Sequence, residues 1–299
     1  MPLPALFNTR TFRLNFIVGI ICCILSTSYA KPILEHIAYS VLPHTSILSV
    51  WIFQTACVTI MYLITYFGFA FAFEYTHPKS AFSGKNDEAT KKRMDITKYS
   101  IYYSAIAIVI CTVYAMSFIR FIEPHLPFYG YWADKDYTIK AFFFELIAYM
   151  WIFDTWFYWT HRMLHSRRFL GYNLWKHVHS IHHYIIEPNA FSQDATHPFE
   201  ALIQGPMGHH MINFFLPIHP VCHALFGFLT SVWAIAAHDS RQYDFNGHAK
   251  HHHYCHVNFG IYWGFWDYIC GTRYCDGKYQ RLKNARQNPF KSNANKKLN

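Results

Sequence analysis

The residues best able to do chemistry in this chain are histidines, and they are concentrated in one stretch. Of 21 histidines, 17 fall between His161 and His256. Three clusters stand out. His161-Arg-Met-Leu-His165 carries imidazoles at i and i+4, while His179-Ser-Ile-His182-His183 and His248-Ala-Lys-His251-His252 carry them at i, i+3 and i+4. On a helix these offsets put the rings on one face. A neutral imidazole is the commonest protein ligand for a metal ion. A single H-x-x-x-H carries little weight, because aromatic helices at a membrane surface also collect histidine. The ordered set of three clusters is a different matter, and its eight rings are enough for two metal ions.

Several further residues are candidates for the same site. His238, followed by Asp239, and His197, in His197-Pro-Phe-Glu200, are candidates for additional ligands. His177, His253 and His256 are off-register neighbours expected behind the ligands, and His209, His210, His219 and His223 are expected at the membrane interface. Asp154, Glu200, Asp239 and Asp267 are expected, as a group, to orient ring N–H groups from behind the metal ligands. Imidazole suits iron, zinc, copper and nickel alike. A catalytic zinc ion takes about three protein ligands, which eight rings exceed. Two irons sharing the rings, with positions left open for oxygen, fit better. Soluble di-iron proteins use Glu-x-x-His helices; here histidine stands where those have glutamate, so the site would be nitrogen-rich.

The elements that must position these rings are membrane helices. The chain is 53% hydrophobic and 20% aromatic with only 14% charged residues, against about 25% charged in a soluble domain. The net charge of +9 is clustered and accompanies no basic helix or RNA-binding signature, which excludes nucleic acid as the partner. The eight cysteines are scattered without a C-x-x-C pair and read as buried, reduced thiols.

Apolar runs cover residues 14–30, 47–75, 99–122 and 141–160. The first reads as an uncleaved membrane helix; Ser28-Tyr29-Ala30 makes a cleaved signal peptide the alternative. Arg10 and Arg13 precede it, and Lys79, Lys85, Lys91, Lys92, Arg93 and Lys98 lie between the second and third runs. The loop at 123–139 is poor in lysine. Placing the basic segments in the cytosol brings all three histidine clusters to the cytosolic face. Residues 201–237, broken by Gly205-Pro206, Pro217 and Pro220, read as a hairpin that enters and leaves by that face, turning near Pro217–Pro220. The expected fold is therefore all-α: a polytopic membrane protein with about four transmembrane helices, a helical hairpin and a cytosolic, histidine-rich helical cap. The expected division is a membrane anchor over 1–140, a catalytic domain over 141–273 and a basic cytosolic tail over 274–299. Lys296 and Lys297 match the dilysine retrieval signal of endoplasmic reticulum membrane proteins.

From Phe153 to Arg273 the chain resembles the membrane-bound fatty acid hydroxylase and sterol desaturase superfamily. The resemblance rests on the run from Asp154 to His165, Lys176-His-Val-His-Ser-Ile-His-His183, His197-Pro-Phe-Glu200, His238-Asp239, His248-Ala-Lys-His-His252, Asn258-Phe-Gly260 and Trp266-Asp267…Gly271-Thr272. Leu216-Pro-Ile-His219 and the run from Trp233 to Asp239 are most like sterol C-5 desaturases (lathosterol oxidases). Ala195-Thr-His-Pro-Phe-Glu200 is similar instead to C-4 methylsterol oxidases and sphingoid-base hydroxylases. The resemblance implies an oxidoreductase with two iron ions, molecular oxygen, and electrons from NADH through cytochrome b5 and its reductase. It implies a lipid substrate taken from the bilayer, with C-5 desaturation or C-4 methyl oxidation of a sterol ahead of fatty acyl or sphingoid-base hydroxylation. Trp156, Tyr158, Trp175 and Tyr184 are expected to line the entry path or to pack as an interfacial belt. A histidine-rich metal transporter or sensor is the reading from another class. It is disfavoured because transporters place ionisable ligands within the spans, whereas these clusters sit at helix ends and in loops.

Overall fold

The computed structural model describes residues 10–25, 36–37, 39–41, 46–239, 241 and 247–275. Ser28-Tyr29-Ala30, the dilysine pair and most of the basic tail lie outside them. Among the described residues the fold is helical, without a β-strand; one isolated bridge joins Phe169 and Tyr172.

Helix α1 spans Arg10–Leu25, α2 Ile47–Tyr75 and α3 Glu88–Ser117. Ser46 and Asp87 cap α2 and α3 by accepting from the backbone N–H groups of Ser49 and Thr90. A π turn, Phe118–Ile122, and a 3-10 turn, Glu123–His125, carry α3 on without a break, making a 38-residue rod over Glu88–His125. At 1.5 Å per residue that rod is about 55 Å long, well beyond a hydrocarbon core of about 30 Å. Its basic first turns, with Lys91, Lys92, Arg93 and Lys98, are then free to stand outside the bilayer. The hairpin between α2 and α3 is closed by a two-pronged ion pair: Arg93 Nε and Nη2 each lie 2.7 Å from an oxygen of the fully buried Glu74.

Helix α4 spans Ile139–Leu164 and ends in the first histidine cluster. A π turn at Trp175–His179 runs into α5, Ser180–His183, which holds the second. Short helices α6, Pro198–Gln204, and α7, Pro206–His210, follow, then a 3-10 turn at Met211–Phe214. Helix α8 runs over Pro220–His238, α9 over His248–Tyr254 with the third cluster, and α10 over Phe265–Ile269.

Among the described residues three helical stretches are long and apolar enough to cross a membrane: Ile47–Tyr75, Glu88–His125 and Pro220–His238. The protein is thus a multi-pass membrane protein. The expected pattern of four spans plus a hairpin is redistributed. Of the first run, the described apolar stretch is Phe12–Ile21, and residues 26–30 lie outside the described residues. The fourth, α4, has the length but not the aliphatic character, being rich in Tyr and Trp and carrying buried Glu145 and Asp154. Its outer face is still apolar, with Phe143, Phe144, Ile147 and Trp151 exposed. The hairpin turns where expected, but only α8 is span-length; the Gly205-Pro206 break divides the other arm into α6 and α7.

The core between α1, α2, α3 and α8 is aromatic. Phe12 packs edge-on against Phe69, and Phe69 and Phe16 both meet Phe228. The thiols differ from expectation: Cys222 is buried, Cys57, Cys111, Cys255 and Cys270 are half-buried, and Cys275 is exposed, all unpaired.

Candidate metal centre

The structure gathers nine imidazoles into two adjacent groups. His161, His165, His179, His183 and His251 form one; His182, His238, His248 and His252 form the other. Within each group the ligand nitrogens all lie within 4.8 Å of one another. The helical offsets explain the sorting. Each i,i+4 pair stays together: His161 with His165, His179 with His183, and His248 with His252. The i+3 residues, His182 and His251, sit about 100° round their helices from the residue that follows. Each therefore joins the other group, and the two groups share both short helices.

Backbone carbonyls fix the tautomers. Nδ1 of His161 donates to Phe259 O (2.9 Å), that of His251 to Val257 O (2.6 Å) and that of His252 to Ile185 O (2.8 Å). Nδ1 of His238 donates to Ala234 O (2.8 Å), and that of His182 reaches Ala195 O at 3.4 Å. A carbonyl only accepts, so the proton is on Nδ1 and the Nε2 lone pair points into the group. Between His182 and His238 two such lone pairs face each other across 3.4 Å, and Nε2 of His252 is buried with no hydrogen-bond partner. A metal ion accepting these lone pairs relieves that arrangement. The nitrogen spacings agree: His165–His179 is 2.9 Å, His183–His251 3.0 Å and His238–His248 3.0 Å. Two nitrogens about 2.1 Å from one metal ion are about 3.0 Å apart at a right angle and about 3.4 Å apart at the tetrahedral angle. The donor set fits one metal ion per group.

Comparison with known proteins agrees with this geometry. Residues 146–272 match the fatty acid hydroxylase family model. Human lathosterol oxidase is 29% identical over 149 residues, covering 46% of this chain and 48% of that one. The Delta(7)-sterol 5(6)-desaturase of Schizosaccharomyces pombe is 29% identical over 153 residues, covering 48% of this chain and 45% of that one. A putative Delta(7)-sterol-C5(6)-desaturase 2 of Arabidopsis thaliana is 25% identical over 263 residues, covering 82% of this chain and 88% of that one. The match to the first two relatives spans about half of their length. No solved structure matches the chain.

Within the matched residues the four acidic candidates do different work. Oε1 of Glu200 lies 2.8 Å from Nδ1 of His179, close enough to pair but not in line for a hydrogen bond. Asp267 accepts from the N–H groups of Phe259 (2.9 Å) and Gly260 (2.8 Å) and from Thr272 Oγ1 (2.7 Å). It thereby aims the Phe259 carbonyl at His161. Asp154 accepts from the next two N–H groups, Ile261 (3.0 Å) and Tyr262 (2.8 Å), and holds the rest of the same loop on α4. Asp239 pairs with Arg241, whose Nη2 donates to Phe73 O (2.6 Å), and so ties the His238 end of α8 to α2.

His197 lies outside both groups. It caps α6, its Nδ1 accepting from Phe199 N–H at 3.1 Å, because the following Pro198 supplies no N–H of its own. His177, His253 and His256 are exposed rather than behind the ligands. His209, His210 and His223 are not interfacial either; they pack among α4, α7 and α8, with Tyr149 against His209 and Phe118 stacked on His210.

A cavity of about 280 Å³ reaches from the histidine groups into the helices, and His161, His182, His238 and His248 line one end. Its apolar wall includes Phe153, Phe157, Ile108 and Ala234. Phe153, Phe157 and His161 are i, i+4 and i+8 on α4, so one helix face runs from cavity wall to metal ligand. Trp156 and Tyr158 are off that face: Trp156 Nε1 donates to Ile203 O (2.6 Å), and Tyr158 packs against Trp266. Trp175 packs on His165 and His183, and Tyr184 is exposed, so none of the four expected residues lines the cavity. Sequence reasoning missed the Phe153–Phe157–His161 face, although its i+4 spacing was the available signal.

Burial holds the imidazoles of His179, His182, His183, His248, His251 and His252 well below their ordinary range, and neighbouring rings add to the effect. Released imidazoles protonate near pH 6.5. Loss of metal and fold therefore takes up protons, and stability present above about pH 6.5 falls as pH drops below it. Metal content measured after dialysis across pH 4–8 should be level above about pH 6.5 and fall steeply below it. A profile flat down to about pH 4 would contradict this assignment of the rings.

Proposed function

We propose that this protein is a di-iron, oxygen-dependent sterol oxidase. The observation that carries the reading is the pair of converging imidazole groups that border a largely apolar cavity between membrane helices. The likeness to lathosterol oxidase and to Delta(7)-sterol 5(6)-desaturases supports a sterol substrate and C-5 desaturation. The conflicting likeness of Ala195–Glu200 supports C-4 methyl oxidation as the second outcome.

Iron held there would supply oxygen activation and removal of hydrogen from an unactivated C–H bond. The chain's own part is placement. His161, His165, His179, His183 and His251 would hold one ion, and His182, His238, His248 and His252 the other. The carbonyls of Phe259, Val257, Ile185 and Ala234 keep His161, His251, His252 and His238 in the ligating tautomer. The apolar wall admits a lipid from the bilayer and excludes water from the reacting carbon. In this reading NADH supplies electrons through cytochrome b5 and its reductase. The protein resides in the endoplasmic reticulum membrane, with the histidine groups and both termini on the cytosolic side.

The test is sterol profiling by mass spectrometry in cells lacking sterol C-5 desaturase. Wild type is expected to restore the C-5 double bond, and a His179→Ala, His182→Ala double variant, which removes one ring from each group, is not. Appearance of C-4-oxidised sterols would move the site of oxidation. Appearance of hydroxylated sphingolipids or fatty acids with unchanged sterols would overturn the substrate.

A further inference from the structure

The cavity carries polar groups that the metal does not explain. Gln193, Asp194 and Thr196 line it, as do His161 and His182. Gln193 Oε1 and Thr196 Oγ1 are buried without a hydrogen-bond partner. Thr196 is only 6% exposed, so bulk water does not satisfy it. The Gln193 amide pairs with Asp194, which uses its N–H and leaves the oxygen free. Buried polar atoms left unpaired are rare, and a ligand is one reason for them.

The segment is rigidly held. Asp194 N–H donates to Tyr66 Oη (3.2 Å), which itself donates to Phe191 O (2.9 Å). Asn189 and Ser192 form a reciprocal cap, and Ser192 Oγ lies 3.2 Å from Ser100 Oγ on α3. Ala195, between Asp194 and Thr196, presents its carbonyl to His182. These polar groups are therefore one residue away from a ring of the metal centre.

We propose that Gln193, Asp194 and Thr196 form the seat for the substrate's 3-hydroxyl group, a proposal that rests on the sterol reading above. A hydroxyl both donates and accepts. It would donate to Asp194 or Gln193 Oε1 and accept from Thr196 Oγ1. The position matches sterol chemistry. C5 of a sterol and a methyl carbon on C4 each lie three bonds from the 3-hydroxyl oxygen. A seat that serves either oxidation must adjoin the metal, as this one does, with the rings extending along Phe153 and Phe157. A long acyl chain oxidised far from its polar head would leave the seat empty. Burial pushes the Asp194 carboxyl up to about 7, which is consistent with a group waiting for a partner in an apolar wall.

The test is direct binding of lathosterol and its 3-deoxy analogue to the purified, iron-loaded full chain in detergent. Wild type is expected to prefer lathosterol by about ten- to a hundredfold. The Gln193→Leu, Thr196→Val double variant, at unchanged iron content, should bind the two within about threefold of each other. Asp194→Asn, which keeps the shape of the carboxyl, serves if the double variant does not fold, and should reduce the preference by about tenfold. Variants that keep the full preference overturn the seat. Wild type that binds both sterols equally overturns the seat and leaves the sterol reading standing. Wild type that binds neither sterol but takes up a sphingoid base overturns both.

Discussion

On the proposed di-iron reading, His251→Ala and His252→Ala are each expected to abolish sterol oxidation, with losses of about a hundredfold or more, but through the loss of different metal ions. The two residues are neighbours on α9, yet His251 belongs with His161, His165, His179 and His183, and His252 with His182, His238 and His248. His251 Nε2 lies 3.2 Å from His165 and 3.0 Å from His183, so its loss opens the first group at its centre. His252 loses its carbonyl partner Ile185 and one of four nitrogens in the second. Iron per chain should fall by about one ion in each variant, with the melting temperature lowered in both. A His251→Ala protein with wild-type iron content and activity would remove that ring from the centre.

Asp267→Ala is the second large effect, and it acts at a distance from the metal. Asp267 is fully buried, and among the described residues its carboxylate accepts from the N–H groups of the Phe259–Gly260 turn and from Thr272 Oγ1. Removing the carboxylate leaves those donors unpaired, at a cost of about 3 kcal/mol. It also frees the Phe259 carbonyl that orients His161, and support of this kind is worth about 10–100-fold in metal affinity. Thermal denaturation and iron content should both fall. Asp267→Asn should be intermediate, since its amide oxygen accepts while its NH₂ faces donors. Unchanged iron retention in the alanine variant would show that the turn holds His161 without this carboxylate.

Much of this centre can be read from spacing alone. The i,i+4 pairs are the ones that share a group, because that offset is nearly one helical turn. The division between groups is less legible. It depends on His182 and His251 diverging from His183 and His252, and on a π turn that delivers His179 into α5, which no residue pattern in Trp175–His179 announces. His238 joins because α8 ends beside α9, a tertiary fact. His197 looks like a ligand in its His-Pro-Phe-Glu string, yet the local demand for a cap before Pro198 sets its use. The span pattern was partly hidden for a related reason. Helix α4 is aromatic rather than aliphatic because its inner face serves the cavity and its outer face the surroundings. His209, His210 and His223 read as interfacial by type, and only the packing of α7 against α4 and α8 puts them inside.

The most direct measurement is anomalous X-ray diffraction at the iron absorption edge from crystals of the full chain. Two iron peaks are expected, one within bonding distance of His161, His165, His179, His183 and His251, the other of His182, His238, His248 and His252. A single peak, or peaks that appear only at the zinc edge, would contradict the two-iron centre.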